Sequence, residues 1–374
     1  MDFDLSDEQR LLKDSVDRLV DDHYGDFTRR QAYAREPQGF SARLWGTYAE
    51  LGLLGLPFAE DEGGSGGGPV ETMIVMEAFG RGLVLEPYLA SVILGGGLLR
   101  AGGQVSLVAD VIAGTARLAF AHVERQARYD PHDVATAARR VDGGWVIEGD
   151  KCIVLHGDSA THLIVSARTS GGRRDAAGLT LFLVDAAQAG VSRRGYPTQD
   201  GLRAADISCA QVRVGADAVI GTVDGAAPLI DAVVDAALAA LCAEAVGAMA
   251  ALQALTVDYL KQRRQFGTTI GSFQVLQHRA VDMLIAVEQA RSMAMYAAMM
   301  LSETDPNTRR AAIASAKVQV NRSSRSVGQE AIQLHGGIGM TMEYKAGHYF
   351  KRLAMIETLF GDTEHHLRVV AGAL

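Results

Sequence analysis

Cysteine is scarce. Only Cys152, Cys209 and Cys242 occur in 374 residues, and no two lie close together in the sequence. No CxxC pair and no Cys/His spacing of the zinc type is present, which argues against a disulfide framework and a structural zinc site. Aromatic residues make up only 6% of the chain while Gly and Ala are abundant, a balance that suits closely packed helices. Uninterrupted apolar runs are also missing. The most apolar stretch, Ala236–Ala254, carries Glu244 and sits inside a longer amphipathic pattern, so it reads as a buried core helix and not as a membrane span. The opening MDFDLSDEQRLLKDSV is charged and has no small-residue cleavage site, so it does not read as a signal peptide. Basic charge is in deficit, with a formal net charge of -8. That disfavours a generic binder of nucleic acid or of anionic membranes, although it leaves room for a local basic pocket. What remains is a soluble, reduced, cytoplasmic protein. Its length predicts two or three domains and a core that needs no covalent staples.

The order of patterns along the chain is informative. Phe3, Leu5, Leu11, Leu12, Val16, Leu19 and Val20 recur at helical spacing, with Ser6 ahead of Glu8 and Gln9 as a helix start. Further helices are expected over Ser41–Leu51, Pro69–Leu83 and Pro87–Ala101, with a glycine-rich loop at Gly63–Gly68. The middle third changes to short runs rich in Val, Ile and Leu. They are Leu118–His122, Ala135–Arg140, Gly144–Glu148, Lys151–Leu155, His162–Ala167 and Leu179–Val184, followed by Val191–Tyr196 and Ile207–Val214. Turn signals between them, Gly149-Asp150 among them, predict a small antiparallel sandwich or barrel. From about Pro228 four long helices are expected: Leu229–Arg264, Ser272–Ser302, Thr308–His335 and His348–Ala373. The predicted domains are therefore 1–115 (helical), 116–222 (β) and 223–374 (helical bundle), with the long helices packing against other subunits.

Two motifs carry chemistry. Arg263-Arg264-Gln265-Phe266-Gly267 ends a long helix. A basic residue there suits the helix dipole and Phe-Gly suits a C-cap, but an Arg so placed also suits a pyrophosphate. Gln333-Leu334-His335-Gly336-Gly337-Ile338-Gly339 has more glycine than a plain helix–helix turn requires, which lets backbone N–H groups approach a ligand. With Phe360-Gly361-Asp362-Thr363, the FDLSDEQRLLKDSV opening, the ELGLLGLPFAEDEGG loop, RRQFGTTIGSFQVLQHRAVDM and QLHGGIGMTMEYKAGHYFKR, the whole chain resembles the acyl-CoA dehydrogenase family. Within that family the resemblance is to the small-subunit type of pimeloyl-CoA dehydrogenase.

The resemblance implies an α+β fold with an N-terminal α domain, a middle β-barrel or sandwich and a C-terminal four-helix bundle. It implies FAD as cofactor, an acyl-CoA thioester as substrate and an electron-transferring flavoprotein as acceptor. It places Arg263, Phe266, Gln274, Gln333, Gly336, Gly337, Gly339 and Thr363 at the cofactor, mostly on its adenosine–pyrophosphate side. The flavin-ring side departs from the family pattern. Of the usual Thr-Glu-Pro-x-x-Gly-Ser-Asp loop, Val123–Asp130 keeps only Glu124 and Asp130. The usual Lys-x-Trp-Ile-Thr-Asn-Gly becomes Lys151–Gly157, with Ile153 and Leu155 in place of Trp and Thr. The two positions where relatives carry the catalytic carboxylate fall on Gly361 and near Ala237. Asp362 and Glu244 are the substitute bases to weigh, Glu244 also being open to a structural role beside a buried Arg.

Three functional classes follow. The chain is a subunit that shares each site with a paralogous large subunit in a heterotetramer, a self-sufficient homo-oligomer with a relocated base, or a silent scaffold on the same fold. Other features have plainer expectations. His365 and His366 point apart and belong on the surface; Arg168, Arg173 and Arg174 belong to a solvated loop. Met293, Met295, Met299 and Met300 belong to helix packing.

Overall fold

The computed structural model describes residues 5–373, so Phe3 lies outside the described residues. Helix α1 (Asp7–Tyr24) begins on a capping box, where the Ser6 hydroxyl accepts from Gln9 N–H and the Gln9 amide oxygen accepts from Ser6 N–H. It is followed by α2 (Phe27–Tyr33), α3 (Ala42–Glu50) and α4 (Pro69–Gly82). The expected helix at Pro87–Ala101 is wound in two ways, as a π-helix over Leu89–Gly96 and as α5 over Gly97–Ala101; α6 (Val108–Ile112) closes the region. Among the described residues no helix is long and apolar enough to cross a membrane.

The β region contains β1 (Leu118–Ala121), β2 (Ala137–Val141), β3 (Gly144–Leu155), β4 (His162–Arg168), β5 (Leu179–Asp185), β6 (Val191–Pro197), β7 (Arg203–Gly215) and β8 (Val219–Ile220). They form one mainly antiparallel sheet in the order β6-β7-β3-β2-β4-β5-β8, with β1 parallel to β4. Trp145 on β3 meets Phe182 on β5 with ring centroids 5.5 Å apart, although two strands lie between them in the sheet. In a flat sheet three strand spacings would separate them by about 14 Å, so the sheet curls around its core. Gly149-Asp150 is not a turn. Gly144–Leu155 runs as one strand, and Gly149, at φ 149°, sits at a bulge where the register against β7 shifts.

Helix α7 (Ala227–Gln262) leads into a two-residue hairpin of β9 (Arg264–Gln265) and β10 (Thr268–Thr269). Then come α8 (Gln274–Met300), α9 (Pro306–His335), α10 (Lys345–Thr358) and α11 (Thr363–Ala373). The single last helix expected from the sequence is thus two. Phe360 at φ 56° and Gly361 at φ 124° break it, because neither conformation continues a helix.

The chain divides into two compact units, and they cut across the three segments expected from the sequence. Residues 33–68 and 85–237 form a sheet unit; residues 5–32, 69–84 and 238–373 form a helical unit. Small residues explain the division of the N-terminal helices. In the helical unit α4 lies against α7 through glycine: a Cβ at Gly80 would stand 1.9 Å from the Glu244 carbonyl oxygen, and one at Gly247 would stand 1.8 Å from the Glu77 carbonyl oxygen. In the sheet unit the π-helix lies on β1, where a Cβ at Gly95 would stand 2.4 Å from Leu118 Cβ.

Candidate functional site

Within the helical unit the structure gathers the sequence-predicted residues into two groups. The first lies where α7 ends. Phe266 and Gly267 both have positive φ, 53° and 82°, which makes them the central pair of a type I′ hairpin turn and not a helix C-cap. Phe266 is 90% exposed and meets Phe273 edge-on at 6.2 Å, immediately before Gln274 opens α8. One turn back on α7, Tyr259 packs on His335 with centroids 4.6 Å apart, and His335 packs on Tyr344 at 5.1 Å. This aromatic stack, with His335 buried between two half-buried tyrosines, ties the Arg263 end of α7 to the turn after α9. Burial lowers the His335 imidazole below its ordinary range, and its Nδ1 is 2.8 Å from the Ala331 carbonyl oxygen.

Around that stack Arg263, Phe266, Gln274, Gln333, Gly336 and Gly337 are all exposed, and Gly339 is buried beneath them. A Cβ at Gly336, at Gly337 or at Gly267 would meet nothing within 4 Å. The glycines therefore leave open backbone at the surface next to a cationic helix end. The donor set is a guanidinium and two side-chain amides, with the exposed backbone of Gly337 and Gly267 beside them; the Gly336 N–H is already taken by the Gln333 and Ile332 carbonyls. This set fits a pyrophosphate and its nucleoside.

The second group contains both candidate bases. Glu244 is buried and doubly bonded by Arg352: Nε to Oε1 at 2.6 Å and Nη2 to Oε2 at 2.7 Å. That is the structural role left open above, and it occupies both carboxylate oxygens. Asp362 Oδ1 accepts from His365 N–H at 2.9 Å and so caps α11, which Thr363 begins. Close by, Lys317 is fully buried, donating to Asn321 Oδ1 and to the Ile356 carbonyl; burial brings its ammonium down to about 8. His366 is a correction to its expected surface placement. It is 3% exposed, and neither ring nitrogen makes a hydrogen bond of ordinary geometry. Burial, then the Lys317 cation, lowers it to about 3. Glu244 and Tyr259 are fifteen residues apart on α7, about 22 Å at the helical rise, so Glu244 belongs to a different neighbourhood from the glycine turn.

In the sheet unit the segments Val123–Asp130 and Lys151–Gly157 are locked by a charge pair. Lys151 Nζ donates to Glu124 Oε1 at 2.7 Å and to Ser166 Oγ at 3.0 Å, and both charged residues are buried. Glu124 also accepts from Gln126 and from the backbone N–H groups of Ala135 and Thr136. Burial raises the Glu124 carboxyl, but the Lys151 charge together with the hydrogen bonds from Lys151, Gln126 and Thr136 outweighs it and brings the group to about 2. The donors of Lys151–Gly157 are committed elsewhere. Cys152 N–H bonds the Val123 carbonyl, Ile153 N–H faces the Asp206 carboxylate, His156 N–H bonds Arg203 and Gly157 N–H bonds Val154. The side chains of Ile153 and Leu155 add none. The segment does not fit the polar edge of a flavin ring. Arg168 is the other correction: it is 9% exposed and donates to four carbonyls, those of His132, Arg173, Asp175 and Ala177. Arg173 and Arg174 pair with Asp133. Local sequence gave no signal for this, since four carbonyls converge on Arg168 only after the loop folds.

Among the described residues no group of three or more His, Cys, Asp or Glu side chains is placed to hold a metal ion. Three consecutive family descriptions match: acyl-CoA dehydrogenase N-terminal domain over residues 6–114, middle domain over 119–213 and C-terminal domain over 232–374. Acyl-CoA dehydrogenase IpdE2 of Mycolicibacterium smegmatis is 30% identical across 97% of this chain and 98% of its own. A solved variant of the Tcur3481–Tcur3483 steroid ACAD is 26% identical with a TM-score of 0.87, covering 98% of this chain and 97% of that one. The FAD complex of PigA shares the fold at a TM-score of 0.89 and 23% identity, covering 100% of this chain and 98% of that one. Matched in order by all three domains of one family, and aligned nearly end to end with one of its enzymes, the chain belongs to the acyl-CoA dehydrogenase family.

Proposed function

We propose that this chain is the small subunit of a heteromeric, FAD-dependent acyl-CoA dehydrogenase. It contributes the adenosine–pyrophosphate side of a cofactor site whose ring loop and base come from a paralogous large subunit. One observation carries the proposal. The open, cationic glycine turn around Arg263, Gln333, Gly336 and Gly337 fits a pyrophosphate, while the donors of Lys151–Gly157 are already committed. When bound, FAD supplies the acceptor for the hydride that leaves Cβ as the Cα–Cβ bond of the thioester is oxidised. Arg263 would hold the pyrophosphate by charge-assisted hydrogen bonds, with Gln274 and Gln333 beside it and the exposed ring of Phe266 against the nucleoside. Glu244 has both oxygens held by Arg352, and Asp362 spends Oδ1 on capping α11.

Exposed Phe266, Val275, Leu284 and Ile285 on and beside α8 supply apolar surface for a partner subunit. The solved Tcur3481–Tcur3483 steroid ACAD carries two protein names, in keeping with a paired arrangement. Three free, buried cysteines suit a cytoplasmic setting. By the resemblance to the pimeloyl-CoA type, the substrate is a dicarboxylyl-CoA and the electron acceptor an electron-transferring flavoprotein.

The test is to purify the chain alone and with its paralogous partner, and to record the visible spectrum and ferricenium-coupled oxidation of pimeloyl-CoA and of heptanoyl-CoA. The chain alone should be colourless and inactive, and the pair yellow and active, with pimeloyl-CoA preferred. Flavin and turnover from the chain alone would establish the self-sufficient homo-oligomer instead. A flavin-free, inactive pair would leave the scaffold.

A further inference from the structure

The sheet unit has a second polar feature beside the two flavin-aligned segments, since Arg125 and Gln126 of the one and Lys151 and Cys152 of the other help to line it. On one face of β3, β7 and β6 the side chains are core; Ile207 and Cys209 belong to it. The opposite face carries Asp150, Ser208 and Ser192 in one cross-strand row, and Asp206 with Arg194 in the next. With Arg125 these residues line a cavity of about 740 Å³. Val123, Ile153 and Leu155 do not line it.

The charges in this cavity are unevenly shared. Arg194 Nη2 is 2.7 Å and Arg125 Nη2 is 3.4 Å from the same oxygen, Asp206 Oδ2. Asp206 Oδ1 accepts from the Tyr196 hydroxyl at 3.0 Å. One carboxylate thus serves two guanidinium groups that remain 80% and 75% exposed, which leaves a unit of positive charge and unused N–H donors. Arg193 and Lys151, also on the wall, are committed: Arg193 to the Gly157, Asp158 and Ala160 carbonyls, and Lys151 to Glu124. The Ser192 and Ser208 hydroxyls have no hydrogen-bond partner among the described residues. Asp150 lies one row further, about 7 Å along the strand. A carboxylate there repels an anion but accepts from hydroxyls.

We infer that this cavity is a binding site for a phosphorylated polyol, with the phosphate on Arg125 and Arg194 and the ligand hydroxyls on Asp150, Ser192 and Ser208. A converging guanidinium pair favours phosphate by geometry as well as charge. The volume falls within the usual range for small-molecule sites and admits a sugar phosphate or a nucleotide.

The experiment is calorimetric titration of the full chain with inorganic phosphate, ribose 5-phosphate and AMP. All three should bind competitively, with ribose 5-phosphate tighter than phosphate. AMP tighter again identifies a nucleotide site; AMP equal to ribose 5-phosphate identifies a sugar-phosphate site. The double variant Arg125→Gln with Arg194→Gln should weaken every probe by about tenfold or more. Asp206→Asn should tighten phosphate, because it releases both guanidinium groups; a purely structural Asp206 would not do so. Asp150→Asn should weaken ribose 5-phosphate and spare phosphate. Absence of saturable binding by any probe, or binding that the arginine replacements leave unchanged, would overturn the site. An Asp150→Asn variant that binds ribose 5-phosphate as the wild type does would overturn the hydroxyl half of the assignment.

Discussion

Two regions that align with family cofactor motifs have opposite characters. The turn from Gln333 to Gly337, with the Arg263 hairpin, is open: Gln333, Gly336 and Gly337 are exposed, and a Cβ at Gly336, Gly337 or Gly267 would meet empty space. Around the flavin-aligned positions of Val123–Gly157 the structure is closed: the backbone donors of Cys152, His156 and Gly157 are taken within the fold, and two of the three family-matching charges, Glu124 and Lys151, hold each other in the interior. In the first region the matching residues remain available to a ligand. In the second they have become part of the fold. Motif identity and ligand availability are therefore separate properties, and in this chain they part company at the flavin ring.

The largest expected effect tests the closed region. Lys151→Met leaves Glu124 buried without its cation and should cost about 3–5 kcal/mol in urea unfolding. A cost well under that would mean the pair holds nothing together. Next come two glycines. Gly361→Ala places a Cβ 2.6 Å from His366 Nε2 at φ 124°, and should cost about 1–3 kcal/mol. Gly337→Ala meets no neighbour and should stay within about 0.5 kcal/mol while weakening cofactor binding by the pair. Equal losses at both would erase the contrast between open and closed backbone.

Acid sensitivity gives a third test. His122 and His366, one in each unit, are both held neutral at about 3, by burial and then by the cations of Lys151 and Lys317 respectively. Because the folded values lie below that of an exposed histidine, the unfolded chain binds more protons in between. Their contribution to stability is present above about pH 6.5 and is lost as the pH falls toward 3. Each contributes a slope of up to about 1.4 kcal/mol per pH unit. His366→Leu should flatten the acid side of the stability curve, and an unchanged slope would refute the assignment.

Smaller effects concern the ligand. Arg263→Gln should reduce FAD affinity of the assembled pair by about tenfold with no change in melting temperature, since the side chain is exposed. Leu155→Thr restores one hydroxyl to the closed region and should raise the flavin affinity of the lone chain by less than about tenfold. A larger gain would show that one missing hydroxyl, and not the wholesale commitment of donors, separates the two regions.

Much of the scaffold was legible in the sequence. The capping box at Ser6 and Gln9, the strand-rich middle and the long C-terminal helices are local patterns, and local physics produces them. The misreadings have specific causes. Gly149-Asp150 carries turn residues, but pairing with β7 converts it to a bulge. Phe266-Gly267 lacks the Asn-Gly signature of its hairpin turn, so a helix cap was the nearer expectation. The site was harder to read because its partners are distant. Arg352 stands 108 residues beyond Glu244. His366 is buried by neighbours that include Lys317 on another helix, and nothing beside it in the sequence announces this. The glycine turn was the most legible part of the candidate site, because three glycines in the four positions Gly336–Gly339 exceed what a helix–helix turn requires.

The discontinuous make-up of the helical unit has a consequence during synthesis. Its members come from both ends of the chain, whereas the sheet unit is complete once residue 237 has left the ribosome. Roughly 140 residues then remain, on the order of ten seconds of translation. Through that interval α4 exists without the α7 and α8 segments it packs against, its apolar face uncovered. Nascent-chain binding by a chaperone should therefore peak after the sheet has formed and fall only as α9 to α11 emerge. The order of manufacture would leave α4, an early helix, among the last to be covered.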